Sequence, residues 1–167
     1  MSNLLTKLND LRHTAIHEAG HAVIGRALGL KCGGASIVRD GQFAGFADIE
    51  DPDESGILSG WRARGRYRKP NLPWRGFILA KMAGAEAEAV LLGLSKGGDA
   101  DDRYRIEEML DNADLTFDQW DRREPRMRAT TRRLIRYHEA AIKSVAAALL
   151  IYEALSAENI DVAAFSD

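Results

Sequence analysis

Residues 17 to 21 read His17-Glu18-Ala19-Gly20-His21. On an α-helix, positions i and i+4 lie one turn apart on the same side, so His17 and His21 can present imidazole nitrogens to one ion. Glu18 stands about 100° around the helix from His17, within reach of a water held by that ion. This is the H-E-x-x-H pattern of metal-assisted hydrolysis, in which one helix supplies two zinc ligands and a general base. Half of the chain's four histidines fall in this pentapeptide. Its flanks, Ala15-Ile16 and Ala22-Val23-Ile24, are apolar on both sides of the helix. They mark a core helix whose buried polar groups need partners, and a metal ion supplies one. Gly20 costs such a helix about 1 kcal/mol against alanine, so a closely packed neighbour is expected there.

His13 lies two turns from His21, about 12 Å along the axis. That is too far to share an ion, and His13 is expected at the surface or the helix start. A catalytic zinc takes three protein ligands and leaves one position open. Cys32 stands at a strand entry and His138 on a distant helix, so the third ligand is expected to be an oxygen. The candidates are Glu86 and Glu88 on a second helix, and Asp99, Asp101 and Asp102 at the start of a third. Spacing does not choose among them, and an aspartate in a first helical turn commonly serves only as a cap. Glu86 or Glu88 can also orient a ligating histidine, although a solvated helix face is the commoner place for such a carboxylate.

The elements that must position these residues are mostly helical. Asn9 or Asp10 can cap a first helix whose apolar positions run from Leu11 through Ala15, Ala19, Ala22, Val23 and Ala27, with Gly29 as its stop. Residues Ala35–Arg39 and Phe43–Ala47 flank Asp40-Gly41-Gln42 and predict a short hairpin. From Asp48 to Pro73 the composition turns polar and proline- and glycine-rich, the signature of a loop. A second helix is predicted over Trp74–Leu92, ending near Gly93. A glycine-rich turn, Ser95 to Asp102, leads into a third that carries Ile106, Met109 and Leu110. Pro125 suits the first turn of a long helix reaching Leu155, and Ser156 opens a short terminal one. The expectation is one domain over residues 1–167, mainly α with a small β-hairpin or sheet (α+β), its C-terminal part helical.

With these motifs in view, the chain resembles the peptidase domain of the FtsH-type ATP-dependent zinc metalloproteases. The local match is Thr14-Ala-Ile-His-Glu-Ala-Gly-His-Ala-Val23, and it continues into Ser36-Ile-Val and Phe43-Ala-Gly-Phe46. The segment from Met82 to Gly93 is similar to the family's alanine- and glutamate-rich helix. Gly97-Gly-Asp-Ala-Asp-Asp102 resembles the turn in which the family's third ligand, an aspartate, follows a glycine by four residues. The resemblance therefore implies a zincin-like fold and a Zn2+ ion held by His17, His21 and Asp102. It implies Glu18 as the general base and a polypeptide substrate laid along the strand edge at Phe43, Ala44, Gly45, Phe46 and Ala47. The family's ATPase module and membrane anchor have no counterpart here, so unfolding of folded substrates would fall to a separate ATPase partner. The segment Trp61 to Trp74 does not match the family.

Composition bounds the alternatives. The chain has 167 residues with a net charge of -2, and its single cysteine permits neither an intrachain disulfide nor a cysteine-rich zinc site. No signal peptide, bilayer-spanning run or phosphate-binding P-loop is legible, and a cytoplasmic location is expected. Basic residues crowd two segments. Trp61–Arg75 holds six and no acid; Arg122–Arg136 holds seven arginines against Glu124. Interleaved aromatics in the first suggest nucleic acid, but an acidic pI of 6.1 argues against a dedicated binder. The other rivals are a soluble regulatory metallopeptidase of another type and a metal- or partner-binding module without proteolytic activity. The intact Glu18 weighs against a purely structural zinc, which needs no general base.

Overall fold

In the computed structural model, which describes residues 2–39, 44–52, 73–112 and 116–166, the motif lies on the first helix, α1 (Ser2–Ala27). This helix begins well before Asn9, because Leu4, Leu5, Lys7 and Leu8 are good helix formers and nothing there breaks the pattern. From Ala15 to Ile24 it is buried all round. It ends as expected: Gly29, at φ +76°, lets Leu30 N–H donate to Gly25 O and Gly29 N–H to Arg26 O.

The sheet has three antiparallel strands in the order β2-β1-β3: β1 (Cys32–Ser36), β2 (Phe46–Ile49) and β3 (Ala154–Ser156). Ala35 pairs with Ala47 on one side and Leu155 on the other. The expected pairing of two strands is present, but Ser36 already faces Phe46, so the strands are closed by a longer connection than a tight turn. Asp40 to Phe43 and residues 53–72 lie outside the described residues, and so does most of the first basic segment. The third strand was not expected; Glu153, in the left-handed conformation at φ 63°, turns the chain into it.

Helix α2 (Pro73–Leu92) matches the expected bounds closely, with Gly93 at φ +80° as its stop, and α3 (Ala100–Asn112) carries Ile106, Met109 and Leu110 as expected. The single long helix expected from Pro125 is instead two, α4 (Phe117–Tyr137) and α5 (Glu139–Tyr152). A capping box between Thr116 and Gln119 starts α4 ahead of Pro125, which the helix carries in its interior. The break falls at His138, where Ile135 and Ile142 enter one core from two directions. Ser156 caps α6 (Ala157–Phe165), the expected terminal helix. The chain is thus mainly helical with a small antiparallel sheet. None of the described helices is long and apolar enough to cross a membrane.

Two buried clusters meet at α2. Ala83 and Ala87 join the cluster that α1 forms with α5 and α6, while Phe77, Ile78 and Met82 pack with Ile106 and Met109 of α3 and Trp120 and Met127 of α4. The close neighbour expected at Gly20 is α2: a Cβ on Gly20 would come within 2.7 Å of Ala83 O and 2.8 Å of Ala87 Cβ. Helices α1 and α2 therefore touch almost backbone to backbone, and α3 starts beside their crossing.

Candidate metal centre

Where α1, α2 and α3 converge, His17 and His21 stand with ring centroids 4.7 Å apart, one turn from each other as the spacing requires. Their outer nitrogens are engaged. His21 Nδ1 lies 2.7 Å from the carbonyl oxygen of Ala80, which can only accept, so Nδ1 carries the proton. His17 Nδ1 donates in the same way to Glu88 Oε1 at 2.7 Å. Both Nε2 atoms then point at Asp102, whose Oδ2 lies 3.3 Å from His17 and 3.0 Å from His21. Two imidazole lone pairs and a carboxylate oxygen at these distances repel one another unless a cation, proton or metal, lies among them.

The ionisation behaviour follows from that convergence. Burial works against a charged His17, but the hydrogen bonds to Asp102 and Glu88 prevail and push its pKa up to about 10. Burial would raise Asp102, yet the charges of His21, His17 and Lys81 hold it well below the usual carboxylate range. Metal-free, the cluster binds a proton. A divalent ion meets the same need with more charge, and the ligand atoms of His17, His21 and Asp102 all lie within 4.8 Å of one another. The cradle also has room of the right kind. A Cβ on Gly84 of α2 would fall within 2.5 Å of His17 Nε2 and closer still to His21 Nε2, filling the point where the donors meet. Two neutral nitrogens and one carboxylate are the donor chemistry of a zinc ion with a vacant position.

Of the five carboxylates that spacing left open, only Asp102 reaches the Nε2 atoms of both His17 and His21. Asp99 takes Arg103 Nε at 2.8 Å and Asp101 is exposed. Glu86 and Glu88 are both buried, not on a solvated face, and point oppositely. Glu88 accepts from His17, from Lys96 N–H at 3.0 Å, and from His13 Nδ1 at 2.8 Å. Burial alone would raise Glu88, and these three bonds instead lower its pKa. Glu86 takes Arg128 Nη1 at 2.9 Å and Arg132 Nε at 2.5 Å from α4. His13 is therefore no surface residue but a second anchor for the carboxylate that orients His17. Its position one turn before His17 was the available signal.

Lys81 went unnoticed in the sequence, although a lone lysine in the apolar run Phe77-Ile-Leu-Ala-Lys81-Met is itself a signal. Its Nζ sits 3.3 Å from Asp102 Oδ1, so Asp102 turns one oxygen to a fixed cation and the other to the histidines.

Glu18 is buried beside the cluster, and that burial raises its pKa against the lowering influence of His21 and His17. It lines a cleft of about 620 Å³ with Ala44, Gly45, Phe46 and Ala47. Gly45 lies flat on it: a Cβ there would come 3.0 Å from Glu18 Cγ and 2.7 Å from Ser36 O. Four of the five residues expected to hold substrate thus border the cleft, at the start of β2 on an outer strand of the described sheet; Phe43 lies outside the described residues. A smaller hollow of about 280 Å³ adjoins it across Phe46 and Lys81. No protein-family model matches the chain, and no curated protein is found similar to it.

Proposed function

We propose that this chain is a zinc-dependent endopeptidase that hydrolyses peptide bonds in unfolded or flexible polypeptides, as the resemblance to FtsH-type peptidase domains implies. The observation that carries the reading is the meeting of His17 Nε2, His21 Nε2 and Asp102 Oδ2 at the foot of an open cleft, with Glu18 beside them. Zinc bound there would lower the pKa of a coordinated water toward neutrality and polarise the scissile carbonyl. The chain's own residues supply the rest. Glu88 and the Ala80 carbonyl fix the ring orientations and tautomers of the two histidines. Glu18 takes the proton of the attacking water and passes it to the leaving amine, and its burial shifts its basicity toward working pH. The outer edge of β2 offers backbone N–H and C=O groups to an extended peptide, a mode with little sequence preference. Folded substrates would first have to be unfolded by an ATPase.

The test pairs two variants. Glu18→Gln should keep about one zinc per chain and lose at least roughly a hundredfold in hydrolysis of an unstructured fluorogenic polypeptide. Asp102→Ala should lose the zinc. Full hydrolysis by Glu18→Gln, or undiminished zinc in Asp102→Ala by elemental analysis, would overturn the assignment.

A further inference from the structure

The arginines of α4 are sorted by the fold. Arg128 and Arg132 turn toward α2 and pair with the buried Glu86, and Arg128 also pairs with Glu124. Arg122, Arg126, Arg133 and Arg136 turn outward and are exposed, and Arg123 is exposed about 100° around from Arg122. At 100° per residue these four fall within about 80° of one another, and the stripe runs about 21 Å along the helix. Among the described residues no acid pairs with any of them; Arg133 reaches only the Thr130 hydroxyl, at 3.4 Å. The exposed acids of α4, Asp118 and Asp121, both precede the stripe; Asp118 shares its direction one turn before Arg122, and Asp121 does not. Tyr137 closes the stripe at its C-terminal end. It is 84% exposed, the most exposed of the large apolar and aromatic side chains, and it projects within about 100° of the same direction.

We propose that this face of α4 binds single-stranded nucleic acid, with the four guanidinium groups on successive phosphates and a base stacked on Tyr137. Positive charge held on one stripe is what a phosphate backbone complements, and from Arg122 to Arg136 no acid falls on that stripe, Glu124 lying on the opposite side of the helix. All four cations of the stripe are arginines and none is a lysine, which fits bidentate contact with phosphate oxygens. An acidic polypeptide would match the charge but has no use for an exposed ring at the end of the stripe; a single strand stacks its bases on such rings. Glu86, which holds α4, and Glu88, which serves the metal centre, leave α2 on nearly opposite faces, about 200° apart. No residue of α4 lines the cleft, and this inference does not depend on the proposed hydrolysis.

The experiment is a fluorescence anisotropy titration of the whole chain with a labelled oligothymidylate of about 15 nucleotides, at several salt concentrations. Four phosphate contacts predict a slope of log affinity against log salt of about -3. The combined variant Arg122→Gln, Arg126→Gln, Arg133→Gln, Arg136→Gln should bind at least about thirtyfold more weakly while keeping its zinc content and helical circular dichroism. Tyr137→Ala should lose about tenfold on the single strand and little on duplex. No binding at low salt, equal binding by the fourfold variant, or displacement by polyglutamate as effective as by unlabelled oligonucleotide would each overturn the proposal.

Discussion

At the scale of single residues, the centre depends on one absent side chain as much as on the ligands present. Gly84 brings the α2 backbone against both Nε2 atoms, where even a methyl group would stand in the cradle. Alanine is the better helix former by about 1 kcal/mol, so Gly84→Ala should leave α2 intact. Zinc affinity should nonetheless fall by roughly a hundredfold, read by competition with a chelating dye. Unchanged affinity would mean that the histidines meet no ion at that point. Residue-scale chemistry was legible where it was local. The i, i+4 histidines and Glu18 stood out because helical geometry alone joins them. Asp102 did not, since its approach depends on how α3 enters, and only the resemblance singled it out. Lys81 escaped because its role is set by an aspartate 21 residues away, which no local pattern encodes.

Helix α2 is the element on which the site is organised. Two buried glutamates, two residues apart, face nearly opposite ways: Glu88 clamps α1 through His13 and His17, and Glu86 clamps α4 through Arg128 and Arg132. Their variants should therefore separate two properties. Glu88→Gln should weaken zinc binding roughly tenfold to a hundredfold, the usual cost of losing a carboxylate that orients a ligating histidine. Glu86→Gln should leave zinc affinity unchanged and cost about 2 kcal/mol of stability, a figure reduced because Arg128 and Arg132 both reach water. For a chain of this size that lowers Tm by about 6 °C, measurable by calorimetry. Equal loss of zinc in both variants would mean that α4 packing, not Glu88, sets the ligand geometry. The bounds of α2 were readable because Pro73 and Gly93 punctuate them. Those of α4 and α5 were not: Pro125 reads as a start, whereas the Thr116–Gln119 capping box begins the helix earlier, and the break at His138 answers to core packing.

For the whole molecule, the centre is a junction that ties three helices distant in sequence, and the cation that fills it bears on global stability. In the metal-free chain a proton fills that role. His17, raised from 6.5 to about 10, contributes stability that is fully present below about pH 6.5 and is lost as pH climbs toward 10. Zinc requires the neutral ring and must displace that proton, so its affinity rises with pH over the same range. The two effects run in opposite directions. In chelator, Tm should fall between pH 6.5 and 9; with zinc in excess the fall should be smaller, so that the gap between the two melting curves widens. Zinc at about a thousandfold over its Kd adds roughly 4 kcal/mol, which for this chain length is about 10 °C. Calorimetry at pH 6.5 and 9, with chelator and with zinc, decides the matter. A gap that stays constant or narrows as pH rises would show that proton and metal do not compete for one position; no gap at either pH would show that the convergence of His17, His21 and Asp102 is a buried ion-pair network that holds the helices together without binding a metal.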